Sequence, residues 1–149
     1  MIEFRREPAG SAVARALLAA MEEEMLVLYA MPRMPTSASS TDLEPPDGAY
    51  VVGWEDGRAV AGGALKRLGP GVAEIKRMYV LPDARGRGVA RQLLAAIEDT
   101  ARELGYERVQ LDTGASQPHA RALYESAGYR EVADYNGNPV ASYWGEKQL

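Results

Sequence analysis

No cysteine occurs in the 149 residues, and histidine occurs once, at position 119. The first absence removes disulfide staples, thiolate-held zinc or iron–sulfur centres and a thiol nucleophile, and the second leaves no histidine cluster to hold a metal. No metal is expected. Phenylalanine also occurs once, and no run approaches the roughly 18 apolar residues that a membrane helix needs. Residues 1–10 carry charges where a signal peptide needs an apolar stretch, so the expected location is the cytoplasm, with no membrane partner. Positive charge is not in surplus either: 17 Lys and Arg against 21 Asp and Glu give a net −4, which argues against nucleic acid as the main partner. What is present is an ordinary globular composition, 46% hydrophobic and 26% charged, so disorder is excluded and any chemistry uses oxygen, nitrogen or backbone groups. The length fits one domain, residues 1–149, burying roughly 68–70% of the surface of its unfolded chain.

Residues 2–6 read as a strand ended by Pro8-Ala9-Gly10, and Ser11 as the N-cap of an alanine-rich helix reaching about Tyr29. Val13, Leu17, Met21 and Met25 recur every four residues and define its core face, while Glu22, Glu23 and Glu24 fall largely on the solvated side. Residues 31–48 contain four prolines and five Ser/Thr, which predicts a loop with at most one helical turn. A loop of that length is either a binding loop or a linker.

Residues 50–54, 58–66 and 72–81 read as an antiparallel meander, turned by Asp56-Gly57 and by Gly69-Pro70-Gly71. A helix over residues 88–104, with Val89, Leu93, Ile97, Ala101 and Leu104 on one face, leads to a strand at 109–111, which makes a right-handed βαβ crossover with a parallel pair. Pro118 starts a further helix ending at Gly128. Residues 129–135 and 141–147 read as a final pair of strands around Asn136-Gly137-Asn138-Pro139.

The segment Arg85-Gly86-Arg87-Gly88-Val89-Ala90 lies between a strand and the strongest helix. A helix start offers unpaired N–H groups and partial positive charge, and glycines let a bulky anion approach the backbone. Arg85, Arg87 and Arg91 against Asp83 alone make the segment locally positive in an acidic chain, which suits a pyrophosphate. Neither familiar alternative fits. A P-loop needs Gly-Lys-Ser/Thr where Gly88 is followed by Val89, and a dinucleotide fingerprint needs a small residue where Arg91 stands.

Arg85-x-x-Gly88-x-Ala90 resembles the pyrophosphate motif of the GNAT superfamily of acetyl-CoA-dependent N-acetyltransferases. Upstream, residues 73–80 (AEIKRMYV) resemble the strand that precedes this loop in many members. Downstream, Ala120-x-x-Leu123-Tyr124-Glu125-x-x-Gly128-Tyr129 resembles a later motif, so the likeness spans residues 72–130. It implies an α/β fold with a mixed, mostly antiparallel central sheet of six to seven strands and about four flanking helices. It also implies an enzyme that moves acetyl from acetyl-CoA to a primary amine. One departure is Gln117, where many members carry the asparagine that contacts the cofactor.

Acetyl transfer needs a neutral amine, a polarised carbonyl and a proton for the departing thiolate. By the resemblance, Tyr124 is the acid, with core packing as its alternative. Glu74 is the base, with a cross-strand ion pair to Lys66 or Arg67 as its alternative. Met78, Tyr79 and Val80 would hold the pantetheine arm, a backbone N–H near Met78 would polarise the carbonyl, and Arg85, Gly86, Arg87, Gly88, Val89, Ala90, Arg91 and Gln117 would contact the rest of acetyl-CoA. His119 reads as a surface residue, and Trp54 and Trp144 as packing. The expected acceptor is a small-molecule amine. A protein or peptide acceptor and a non-catalytic acyl-CoA-binding module are the alternatives, and a homodimer is left open.

Overall fold

The computed structural model describes residues 1–33 and 40–149. In chain order it runs β1 (Glu3–Glu7), α1 (Ala12–Leu28), β2 (Ala49–Glu55), β3 (Arg58–Gly69), β4 (Val72–Val80), α2 (Val89–Glu103), β5 (Arg108–Gly114), α3 (Pro118–Ser126), β6 (Arg130–Glu131) and β7 (Ala141–Gln148). The strands form one sheet in the order β1-β2-β3-β4-β5-β7-β6, antiparallel except for β4 against β5. This is the mixed, mostly antiparallel sheet expected. Among the described residues three α-helices accompany it, where about four were expected, with 3-10 turns at Ser40–Leu43 and Pro82–Ala84.

Local chemistry explains the element ends. The Ser11 hydroxyl accepts from Ala14 N at 3.1 Å and satisfies one of the donors that a helix start leaves open. Ala14, Leu17 and Met21 are the buried residues of α1, while Val13 and Met25 are half-buried. Asp56 and Gly57 both take positive φ, 50° and 77°, as a two-residue hairpin requires. The described part of the proline-rich stretch contributes one 3-10 turn that buries Leu43 beneath α1, and residues 34–39 lie outside the described residues.

The strand expected over residues 129–135 is cut short to Arg130–Glu131, while the one expected over 141–147 forms as β7. Arg130 and Glu131 pair with β7 and Val132 N still donates to Trp144 O at 2.8 Å, but from Asp134 onward side chains take the backbone N–H groups that a ladder would use. Asp134 Oδ1 accepts from Asn136 N (2.9 Å) and Gly137 N (2.6 Å), Asn136 Oδ1 from Asn138 N (3.1 Å), and Asn138 Oδ1 from Val140 N (3.2 Å). Residues 132–140 are therefore a loop built from Asx-type turns, standing beside β5.

Two apolar cores flank the sheet. α2 covers one face with Val89, Leu93 and Ile97 against Val51, Leu65 and Ile75, and α1 covers the other with Leu17 and Met21 against Tyr50, Val52 and Tyr79. β4 changes sides part-way along. Ala73 and Ile75 belong to the α2 core, but Tyr79, of the same parity, belongs to the α1 core, and Met78 and Val80 now pack towards α2. The register accounts for this: Ala64 pairs with Lys76 and Gly62 with Tyr79, so Gly63 alone opposes both Arg77 and Met78. That is a β-bulge, with Arg77 at a φ of 57°, and it reverses the alternation of every residue beyond it. Among the described residues no helix is long and apolar enough to cross a membrane.

Candidate active site

β4 and β5 are paired through three residues only, from Val72–Arg108 to Glu74–Gln110. Beyond Glu74 the two strands continue without pairing to each other, so the backbone edge of β4 from Ile75 to Val80 is free to accept an added strand. A cleft of about 290 Å³ opens where they part. Ile75 and Met78 lie on one wall, Asp112 and Gly114 on the other, and Met21 and Met25 reach in from α1.

Tyr124 enters this cleft from α3, which Pro118 starts in its first turn. It is buried, and its hydroxyl donates to Met78 Sδ at 3.8 Å, which sets it opposite the bulge. Burial, followed by the charges of Asp112 and Tyr143, holds its pKa above the ordinary tyrosine value. Tyr124 thus keeps its proton at neutral pH.

Just beyond the C-terminal end of β4 stands the glycine loop. Gly86 and Gly88 have φ of 79° and 78°, and a Cβ added at either would meet nothing within 4 Å. Gly88 is the N-cap of α2, and no side chain caps the helix. Free amides, the positive end of a helix and open space in front of both are what an anion needs. Val89 itself is buried against the sheet and Ala90 half-buried.

The arginines are less available than the local charge count implies. Arg85 Nη2 lies 3.0 and 2.9 Å from the two carboxylate oxygens of Glu24, its Nε donates to Val80 O at 2.9 Å, and its guanidinium sits 5.5 Å from the Tyr79 ring centroid. Arg87 makes a two-point pair with Glu55, both contacts 2.9 Å, and Arg91 donates to Ser126 Oγ at 2.6 Å. Glu24 and Glu55 come from distant parts of the chain and offset the surplus counted within the loop. Glu24 is accordingly half-buried, unlike its solvated neighbours Glu22 and Glu23.

Glu74 is buried, and it does not line the cleft. Lys66 is its partner in register across the sheet, yet the ion pair is with Lys76, two residues along its own strand at 3.3 Å. Its Oε2 accepts from the Tyr135 hydroxyl at 2.7 Å and from Asn136 Nδ2 at 3.1 Å. The same Nδ2 reaches Asp112 Oδ2 at 2.6 Å, and Asp112 does line the cleft. Glu74 therefore stands one step behind the wall. Gln117 is the N-cap of α3, lines the cleft, and accepts from the Tyr29 hydroxyl at 3.0 Å. His119 is exposed and outside the cleft lining.

Sequence reasoning passed over Asp112, Asn136, Asn138 and Tyr29. Strand alternation was a usable signal for Asp112, since Val109 and Leu111 face the α2 core and Asp112 must face away. For the asparagines there was only a turn signal. Trp144, read as packing, donates its indole N–H to Asn136 Oδ1 at 2.9 Å.

The profile described as the Acetyltransferase (GNAT) family matches residues 15–129. The uncharacterised N-acetyltransferase YsnE of Bacillus subtilis is 34% identical, over 73% of this chain and 85% of that protein. An IAA acetyltransferase of Azospirillum brasilense is 39% identical over 72% of each. Among solved structures, a candidate acyl-CoA N-acyltransferase of Klebsiella pneumoniae superposes with a TM-score of 0.83 at 29% identity, covering 100% of this chain and 98% of that one. The PaiA N-acetyltransferase of Thermoplasma acidophilum, solved in complex with coenzyme A, shares the fold at a TM-score of 0.74 and 17% identity, covering 100% of this chain and 99% of that one. The paired cores, the bulged fourth strand and these matches agree: the chain belongs to the GNAT family of acetyltransferases.

Proposed function

We propose that this chain transfers the acetyl group of acetyl-CoA to a primary amine on a small molecule. The observation that carries this reading is the place of Tyr124, a buried hydroxyl at the point where β4 and β5 part. Among the described residues its hydrogen bond goes to a thioether sulfur, a weak acceptor, so it keeps its capacity to donate to another group.

In this reading the pantetheine arm lies along the free edge of β4, against the backbone of Met78, Tyr79 and Val80. The pyrophosphate meets the amides of Gly88, Val89 and Ala90, with Gly86 giving room and Arg85, Arg87, Arg91 and Gln117 at the rim. A backbone N–H at the bulge beside Met78 polarises the thioester carbonyl. The amine nitrogen bonds to the carbonyl carbon, the C–S bond breaks with its electron pair on sulfur, and Tyr124 gives the thiolate a proton. The nitrogen sheds its proton towards the carboxylates, with Glu74 behind the cleft wall.

A cleft of about 290 Å³ is at the small end of the roughly 300–1,000 Å³ range of small-molecule sites, which favours a small acceptor over a protein. The test is release of CoA thiol from acetyl-CoA with a panel of small amines and a panel of peptides. Small amines should be preferred. Faster turnover of peptides reassigns the acceptor, and tight acetyl-CoA binding without turnover of any amine makes the chain an acyl-CoA-binding module.

A further inference from the structure

Among the described residues three half-buried carboxylates, Glu7, Glu44 and Asp112, have no cation partner, and of these Asp112 lines the cleft. Glu24, Glu55, Glu74, Glu98 and Glu146 are buried or half-buried, and each carries an arginine or lysine partner. Asp112 is half-buried in the cleft wall, and among the described residues no basic side chain pairs with it. Neutral amides hold it instead: Asn136 Nδ2 at 2.6 Å and Asn138 Nδ2 at 3.3 Å, both on Oδ2. Among the described residues none bonds to Oδ1.

The amides are built to do this. The indole N–H of Trp144 and the backbone N–H of Asn138 can only donate, and both point at Asn136 Oδ1, 2.9 and 3.1 Å away. The Asn136 NH2 group must therefore face the two carboxylates, which it bridges. Of the two basic residues that line the cleft, Lys76 is committed to Glu74, and Arg77 faces the charges of Glu22 and Asp42. A carboxylate positioned by hydrogen bonds but left uncompensated in a partly desolvated cleft is completed by a cation. Opposite it stand Met21, Met25 and Met31, flexible apolar side chains that adapt to a hydrocarbon body.

We propose that Asp112 receives the acceptor's ammonium and takes its proton, so that the acceptor is a cationic alkyl amine whose apolar body lies against the methionines of the cleft. An N–H bond of the ammonium breaks with its electron pair staying on nitrogen, and the proton passes to Asp112 Oδ1. The nitrogen is then free to bond to the thioester carbon; its second proton leaves as the amide forms and replaces the one Tyr124 gives to the thiolate, and the half-exposed carboxylate returns the first to solvent. Tyr124 and Tyr29, whose phenols are held protonated in part by the charge of Asp112, face the same space. This inference rests on the acetyl-transfer reading above.

The experiment uses the full chain with acetyl-CoA and a panel of alkyl amines that includes benzylamine, with aniline as its uncharged counterpart. Melting curves with and without acetyl-CoA are recorded alongside the rates. Wild type should prefer the cationic amines. In Asp112→Asn the melting shift with acetyl-CoA should persist while kcat/KM for the alkyl amines falls by on the order of 10²–10⁴-fold, the range of general-base catalysis, with a smaller loss for aniline. Asn136→Ala keeps the charge and loosens its position, so KM for benzylamine should rise by on the order of tenfold, the equivalent of one charged hydrogen bond, with little change for aniline. Wild-type kinetics in Asp112→Asn, preference for aniline, or turnover of no alkyl amine by a protein that binds acetyl-CoA would each overturn the assignment. Should Asp112→Asn fail to fold, equal losses for both amines in Asn136→Ala overturn it. Absence of the melting shift in wild type instead defeats the acetyl-CoA reading itself, and the role of Asp112 goes with it.

Discussion

Arg85 joins the end of β4 to α1 through a two-point contact with Glu24, its Nη2 2.9–3.0 Å from both carboxylate oxygens. Glu24 thus occupies a cation that the glycine loop would otherwise offer to an anion. The contact is partly exposed, so on the acetyl-CoA reading proposed above it should give way to a doubly charged pyrophosphate.

Glu24→Gln should therefore tighten acetyl-CoA binding by about 2–5-fold, the free energy of an exposed ion pair. Titration calorimetry at low and high salt checks this. An unchanged Kd would mean that Arg85 stays with α1 when the cofactor binds.

Gly88→Glu should abolish acetyl-CoA binding, because the new carboxylate enters the open space in front of the α2 amides. In wild type, acetyl-CoA at 100 times its Kd adds about 2.7 kcal/mol and raises the melting temperature by roughly 5–10 °C. Gly88→Ala is the control. It has the strain of a side chain at a φ of 78°, about 1–2 kcal/mol, yet should retain most of the shift.

Tyr124→Phe keeps the ring in the cleft and removes the proton donor. Acetyl-CoA binding should hardly change, while kcat falls by on the order of 10²-fold. A large loss of stability with unchanged kcat would return Tyr124 to a packing role.

Alkaline stability follows from the buried tyrosines. Burial raises Tyr124, Tyr129 and Tyr135, and hydrogen bonding to Glu98 and Glu74 raises the last two further. Unfolded tyrosine ionises near 10, so below that pH their contribution is fully present. As pH climbs past 10, the unfolded chain loses protons that the folded protein keeps, and stability falls by about 1.4 kcal/mol per pH unit for each such group. Tyr129→Phe should flatten this slope by one group, measured by urea unfolding between pH 9 and 11.

The parts of the protein legible in its sequence are those set by neighbours along the chain. The Ser11 cap, the Asp56-Gly57 hairpin, the apolar face of α2 and the glycines at its start depend on local dihedrals, capping and period, and they stand where those rules put them. The family was legible for the same reason, since its motifs are contiguous. The strand expected over 129–135 stops early because Asp134, Asn136 and Asn138 can satisfy backbone donors themselves, and apolar spacing does not register that competition.

The charge state of the site was decided by tertiary structure alone. Glu24 and Glu55 lie 61 and 32 residues from the arginines they pair with, so no count within the loop could foresee the neutralisation. Nor could spacing show that Glu74 and Asp112, 38 positions apart, share the amide of Asn136, with one behind the wall and the other in the cleft. That partition follows from where β4 and β5 stop pairing. Strand separation is a balance of packing from α1, α3 and the 132–140 loop, and it exists only once the chain has closed on itself.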